Sequence, residues 1–290
     1  MFRSSLVVLS FLILTTPTTL FANDNLAVLE KVVAANALIQ PELQNYLVTV
    51  ETSRIEEMMS SMTAGIPADV KPPSPPVIVK FWQRNGEGLV FAKNETLTPY
   101  VEKMVKRLSA NLAIELNEMI LPADHADSRQ TLIKNAKLKS SEVALAEQLI
   151  HRLEITFNKP TDLHGAFYAS GMRLPQKQVN TLTFDIDTRT NTVNEMNLSV
   201  EGGLQLTVEI RYLEIPGGHI PERFQVTSPD GKVEDIFEAT LAEIDNFVLP
   251  TSMLRTINRP DLQETLEVFF KDYQLNQPIP EDIQTRLKVK

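Results

Sequence analysis

The chain has 290 residues, 43% of them hydrophobic, with no cysteine and a formal net charge of −9. Its length is enough to bury a full hydrophobic core, and the missing cysteines exclude disulfide staples. The acidic balance excludes a nucleic-acid binder, which would rely on clustered Lys and Arg to hold phosphates.

The N-terminus reads as a secretory signal peptide over residues 1–22. Arg3 precedes an apolar run from Leu6 to Leu14, and Ala22 stands before Asn23-Asp24 at a cleavage position. A membrane-spanning helix needs about 20 apolar residues, so the run predicts an exported chain with no stable membrane span after cleavage. Residues 23–290 are then expected in the periplasm as a single domain.

In the mature chain, Asp24 caps a helix over 24–39 that Pro41 stops. Leu26, Leu29, Val33 and Ala37 line one face of it. A strand is predicted over 46–52, followed by a short helix over 53–62 carrying Met58, Met59 and Met62. Residues 66–76 hold five prolines and form an extended connector. A hairpin over 77–84 and 89–93 comes next and contains Trp82, the only tryptophan.

A helical insertion is expected at 98–151. Thr98 and Pro99 open its first helix, and Val101, Met104, Leu108, Leu112, Met119 and Ile120 trace a stripe that ends at Pro122. Val143, Leu145, Ala146, Leu149 and Ile150 predict a second helix over 141–151.

From Leu153 onward the apolar period falls to 2, the mark of strands with one buried face. Leu182, Phe184 and Ile186 alternate with polar residues. Leu204, Leu206, Val208, Ile210 and Tyr212 do so without interruption, and Phe224 and Val226 lead to the turn Ser228-Pro229-Asp230-Gly231. Further alternation runs over 233–247 and through Leu266, Val268 and Phe270. The result is a meandering antiparallel sheet in an α+β fold, whose apolar face must be covered by helices or by a ligand.

Catalytic signatures are sparse. Asp124-His125-Ala126-Asp127 offers potential metal ligands but reads as a polar helix-capping loop, and no metal or other cofactor is expected. Asp185 and Asp187 share a strand face and read as solvated positions. No Gly-x-Ser-x-Gly or phosphate-cradling glycine loop occurs, so the chain reads as a non-enzyme.

Three segments carry a family resemblance. Phe167-Tyr168-Ala169-Ser170-Gly171-Met172-Arg173-Leu174-Pro175, then Leu182-Thr183-Phe184-Asp185-Ile186-Asp187, then the closing Val268-Phe269-Phe270-Lys271-Asp272-Tyr273-Gln274-Leu275-Asn276-Gln277-Pro278-Ile279-Pro280 resemble the outer-membrane lipoprotein carriers of the LolA/LolB kind. The resemblance implies a strongly curved antiparallel sheet, an incomplete barrel covered by helices, whose apolar interior receives lipid or lipoprotein acyl chains. Envelope transport or outer-membrane proteins are the implied partners.

The expected lining is Leu182, Phe184, Ile186, Leu204, Leu206, Val208, Ile210, Tyr212, Phe224 and Val226. Leu29, Val33, Met58, Met59 and Met62 are expected to form a lid. Burying a CH₂ contributes about 0.8 kcal/mol, so a chain of about 14 methylenes gains on the order of 10 kcal/mol. An interaction module with a filled core is the alternative reading.

Overall fold

The computed structural model describes residues 19–37, 39–67, 74–84, 88–93, 99, 102–103, 105–106, 112, 115–145, 148–169, 172, 174 and 178–288, with backbone alone at 19–25, 145 and 148. Most of the signal-peptide reading, the centre of the proline connector and much of the predicted 98–122 helix lie outside these residues.

The described chain builds one antiparallel sheet of twelve strands, open at both ends. The strands are β1 (Asn45–Thr52), β2 (Ile78–Gln83), β3 (Leu89–Ala92), β4 (Ala136–Leu145), β5 (Gln148–Thr161), β6 (Val179–Asp187), β7 (Thr192–Val200), β8 (Gln205–Ile215), β9 (Gly218–Thr227), β10 (Glu234–Ile244), β11 (Phe247–Arg259) and β12 (Leu262–Leu275). Four helices accompany them: α1 (Thr19–Ala37), α2 (Ser53–Thr63), α3 (Ala126–Lys134) and α4 (Glu281–Lys288). This is the antiparallel α+β architecture expected from the alternation, with the curved, unclosed sheet that the family resemblance implies.

Strands β4 to β12 follow one another as a meander, and β1 to β3 form a second, shorter one. The two join where β1 pairs with β12, from Tyr46 opposite Leu275 to Thr52 opposite Val268. Asn276, just past β12, locks this junction. Its side chain accepts from the Gln44 N–H at 2.7 Å and donates to the Glu42 carbonyl at 3.1 Å. Tight turns keep the meander in register. Between β10 and β11, Asp245 and Asn246 both take positive φ, 49° and 69°, as a right-twisted two-residue hairpin requires.

Two sequence expectations fail in the insertion. Residues 141–151 are not a helix: β4 and β5 pair as a long hairpin, from Ala136 opposite Phe157 to Leu145 opposite Gln148. The Ala, Leu and Glu content favours a helix locally, but ten cross-strand pairs and the docking of β5 on β6 override it. The helix predicted over 98–122 is also absent from its last described stretch, 115–122. A 3-10 turn at Leu116–Glu118 replaces its end, and Ile120 bridges to Tyr168 instead of continuing a stripe.

The sheet has two buried faces of unequal size. The inner face carries the main core and lies under α1 and α2. On the outer face, Val79, Phe81 and Phe91 of β2 and β3 are covered by Ile283 of α4, with Arg286 over the Phe91 ring at 4.6 Å.

Candidate ligand-binding face and its cover

Cross-strand register assembles the inner face row by row. Leu153 stands opposite Phe184, Phe184 opposite Met196, Met196 opposite Val208 and Val208 opposite Val226. A parallel row runs through Ile155, Leu182, Leu198 and Leu206. Leu182, Phe184, Ile186, Leu206, Val208, Ile210, Phe224 and Val226 are thus buried in one cluster, as their spacing predicted. Tyr212 is half-buried against that cluster, and its hydroxyl donates to the Val193 carbonyl at 3.0 Å. Leu204 departs from the expectation. It precedes β8, in the turn where its carbonyl accepts from the Val200 N–H, and it is 41% exposed.

Separate pieces of chain cover this face. Leu29 and Val32 of α1 are buried in the core and Val33 packs partly against it; Ile55 and Met58 of α2 are buried, with Met59 beside them. Val32 and Ile55 were not among the expected lid residues, although both fall on the apolar stripes of their helices. Met62 shares the side of α2 that carries Ile55 and Met58 but lies in the last turn of the helix, and it is 39% exposed. Thr52 caps α2, its hydroxyl accepting from the Ile55 N–H.

A third piece, residues 115–121, lies between the helices and the sheet. Leu116, Met119, Ile120 and Leu121 are buried there. The Leu121 N–H donates to the Phe167 carbonyl at 3.0 Å, and the Ala169 N–H donates to the Met119 carbonyl at 2.9 Å. Phe167 in turn sits between the rings of Phe157 and Phe184, at 6.3 and 6.1 Å. Phe167 and Tyr168, two residues of the family resemblance, are therefore the support on which this piece rests.

Charged side chains that the sequence analysis did not single out tie the cover down. Arg84, just past β2, donates to the carbonyls of Ala37, Ile39, Gln40 and Leu43, closing off the C-terminal end of α1. Arg129 of α3 is fully buried. It donates to the carbonyls of Pro122 and Ala166 at 3.0 and 2.9 Å and reaches Glu30 of α1 at 3.4 Å. Burial lowers its pKa from the ordinary guanidinium value, with Glu30 opposing.

Lys80 of β2 is buried on the inner face, 2% exposed, with its ammonium 2.7 Å from Oε1 of Glu115. The same oxygen accepts from the Tyr46 hydroxyl at 2.7 Å. Burial, then Glu115, holds the Tyr46 phenol well above its usual range. Glu118 keeps part of its surface in solvent. Desolvation of its carboxyl, then the neighbouring Glu115 and Asp124, pushes it up to about 7, against the opposing charge of Lys80.

A cleft lined by Met119, Met172, Phe224, Val226, Asp235 and Phe237 leaves about 10 Å³ for the centre of a water molecule, room for roughly one water.

The remaining candidates have structural roles. Asp185 is not solvated: it is buried in a bidentate pair with Arg152, at 2.7 and 2.5 Å. Asp187 is buried as well, accepting from the Arg189 and Thr190 N–H groups in the β6–β7 turn. Register alone put both on the wet side of β6, but a cross-strand arginine and a turn enclose them. The 124–127 stretch forms a 3-10 turn and the start of α3, and no group of three metal-ligating side chains occurs among the described residues.

The class defined here is an open, curved antiparallel sheet with one face covered by helices and loops. The chain is similar to several solved structures. A LolA superfamily protein from Nitrosomonas europaea matches at 12% identity and a TM-score of 0.34, over 89% of this chain and 95% of that one. An outer-membrane lipoprotein-sorting domain, so named, from Vibrio parahaemolyticus matches at 10% identity and 0.35, over 92% and 99%. A DUF1329 family protein from Desulfovibrio piger matches at 9% and 0.33, over 90% and 95%. No protein-family model and no curated protein matches the chain. At such identities no residue role passes from these structures to this chain. No helix of the described residues is long and apolar enough to cross a membrane.

Proposed function

We propose that this protein is a non-catalytic periplasmic carrier that holds the acyl chain of a lipid or lipoprotein against the inner face of its sheet. The observation that supports this most is the construction of the cover. The face is apolar at nearly every position, yet the pieces over it are separate from the sheet ladder and carry polar tethers at Arg84, Arg129 and Lys80.

Magnitudes favour exchange. Each buried aliphatic side chain contributes about 1.5–3 kcal/mol, so Leu29, Val32, Met58, Met119, Ile120 and Leu121 together contribute on the order of 10 kcal/mol. An acyl chain of about 14 methylenes offers a similar amount. Cover and ligand are therefore near-equal competitors for one surface, which is what loading and release require. The apolar run at residues 6–14 supports export, and with it a periplasmic setting.

A second reading is favoured by the single buried cluster that the inner-face and covering side chains form: a permanently filled core in an envelope subunit that contacts other proteins. Native mass spectrometry of the protein purified from the periplasmic fraction, with extraction of bound lipid, separates the two. The carrier reading expects co-purifying acyl species that exchange on titration and quench Trp82. A clean apo mass with no change in Trp82 fluorescence on adding long-chain lipid would leave the filled-core reading.

A further inference from the structure

The inner face is apolar at nearly every position its strands offer, which makes Lys80 an anomaly. It lies on the same side of β2 as Ile78 and Trp82, beside Val48 and Val50 of β1, and it is buried. Buried ion pairs are poor devices for holding a sheet together, since apolar residues of like volume do as well or better. The partner is also unusual. Glu115 belongs to the cover rather than the sheet, immediately before the 3-10 turn at Leu116–Glu118.

We infer that Lys80 is the anchor for an anionic group at the end of the ligand's acyl chain, a carboxylate or phosphate, and that Glu115 holds that position while the face is closed. The inference rests on the carrier reading and gives its ligand a chemical class. The geometry is that of an occupied anion site: one carboxylate oxygen of Glu115 sits 2.7 Å from the ammonium and 2.7 Å from the Tyr46 hydroxyl. Tyr46 is itself fixed, stacked on Trp82 at 5.4 Å and edge-on to Tyr273 at 5.5 Å, while the Tyr273 hydroxyl donates to the Pro250 carbonyl. Ammonium and phenol are therefore both aimed before any ligand arrives.

When residues 115–121 lift to admit an acyl chain, Glu115 leaves with them. Lys80 then stands charged in an apolar, aromatic wall, a state opposed by desolvation. A purely apolar ligand leaves that charge unpaired. An amphiphile with a single anionic head replaces the Glu115 oxygen while its tail takes the place of Leu116, Met119, Ile120 and Leu121. Uncharged and cationic heads are selected against by the same argument.

The test titrates the full mature chain with three probes of equal chain length, each below its aggregation threshold: palmitate, methyl palmitate and palmitoyl lysophosphatidate. Trp82, stacked on Tyr46, reports binding. Wild type is expected to bind at least one anionic probe about tenfold more tightly than the ester. The two anionic arms separate carboxylate from phosphate recognition. K80M should abolish the preference without weakening the ester, K80R should keep it, and E115Q should tighten the anionic probe by removing the internal competitor. Equal binding of all three probes by wild type, or a preference that survives in folded K80M, overturns the inference and leaves the carrier reading standing. Failure of all three to bind overturns both. Should K80M not fold, the wild-type probe series and E115Q decide.

Discussion

The two ends of the inner face solve the same burial problem differently. Across β5 to β9 the buried side chains that meet are Leu153, Phe184, Met196, Val208 and Val226, and no charge interrupts the row. Across β12, β1 and β2 the face holds Tyr46, Lys80 and Tyr273 among its aliphatic residues and takes Glu115 from the cover. The first end has the chemistry of a plain core. The second buries charge that needs a partner, and that partner sits on a segment outside the sheet. On the proposed carrier reading, the apolar end would set affinity for any apolar chain, and the end with the ammonium and phenol would set which chain.

The largest expected effect lies at the apolar end. Phe184→Ala removes a fully buried ring packed on Phe167 and should cost about 3–5 kcal/mol in urea unfolding, in one cooperative transition. A loss under about 1 kcal/mol would mean that this end is not the rigid half.

Next comes the tether. Arg129→Met leaves Glu30 and two buried carbonyls without their donor, and should cost about 3 kcal/mol while raising hydrogen exchange in α1. Loss of stability without faster exchange in α1 would make Arg129 part of the core rather than a latch.

At the polar end, Glu115→Ala should cost about 2 kcal/mol by stranding Lys80. The double variant K80M/E115L should recover stability to within about 1 kcal/mol of wild type, since apolar replacement of a buried pair is often neutral. If the double variant stays as unstable as the single, the pair is structural and the contrast between the ends disappears.

The smallest effect is a pH dependence. Glu118 is raised from 4.5 to about 7 in the folded chain, so its protonated form favours the docked state. That contribution is complete below about pH 4.5 and is lost as the pH rises through about 7. Hydrogen exchange over 115–121, corrected for intrinsic rates, should therefore be slower at pH 5 than at pH 8, and E118Q should flatten the difference. Unchanged protection in wild type between those pH values would remove Glu118 from the account.

The sheet was legible wherever one face alone is buried. Alternation at Leu182, Phe184 and Ile186, and from Leu206 to Tyr212, marked β6 and β8 because period 2 is a direct consequence of the pleat. The closing segment was legible for a different reason: Tyr273 and Asn276 make specific bonds at the β11 and β1 junctions, so their spacing in the chain has a fixed structural meaning.

The β4–β5 hairpin was not legible. Val143, Ala144 and Leu145 satisfy a helix as well as a strand, and only their pairing with β5, itself docked on β6, decides between them. The buried residues of the inner face were legible because they are apolar and alternate, whereas the tethers were missed because each is a single cation. Lys80 did leave a trace: it is the one charge in Val77-Ile78-Val79-Lys80-Phe81-Trp82 and has the same parity as Ile78. Arg129 left none, since its burial depends on carbonyls of Pro122 and Ala166 that come together only in the fold.

The central claim is that the inner face exchanges its own cover for a ligand. Hydrogen–deuterium exchange mass spectrometry of the mature protein, with and without saturating palmitate, tests it most directly. The account predicts faster exchange in α1, α2 and residues 115–121 on adding palmitate, with β5 to β9 unchanged or better protected. Identical exchange in those three covering segments, with palmitate shown to be bound, would contradict it.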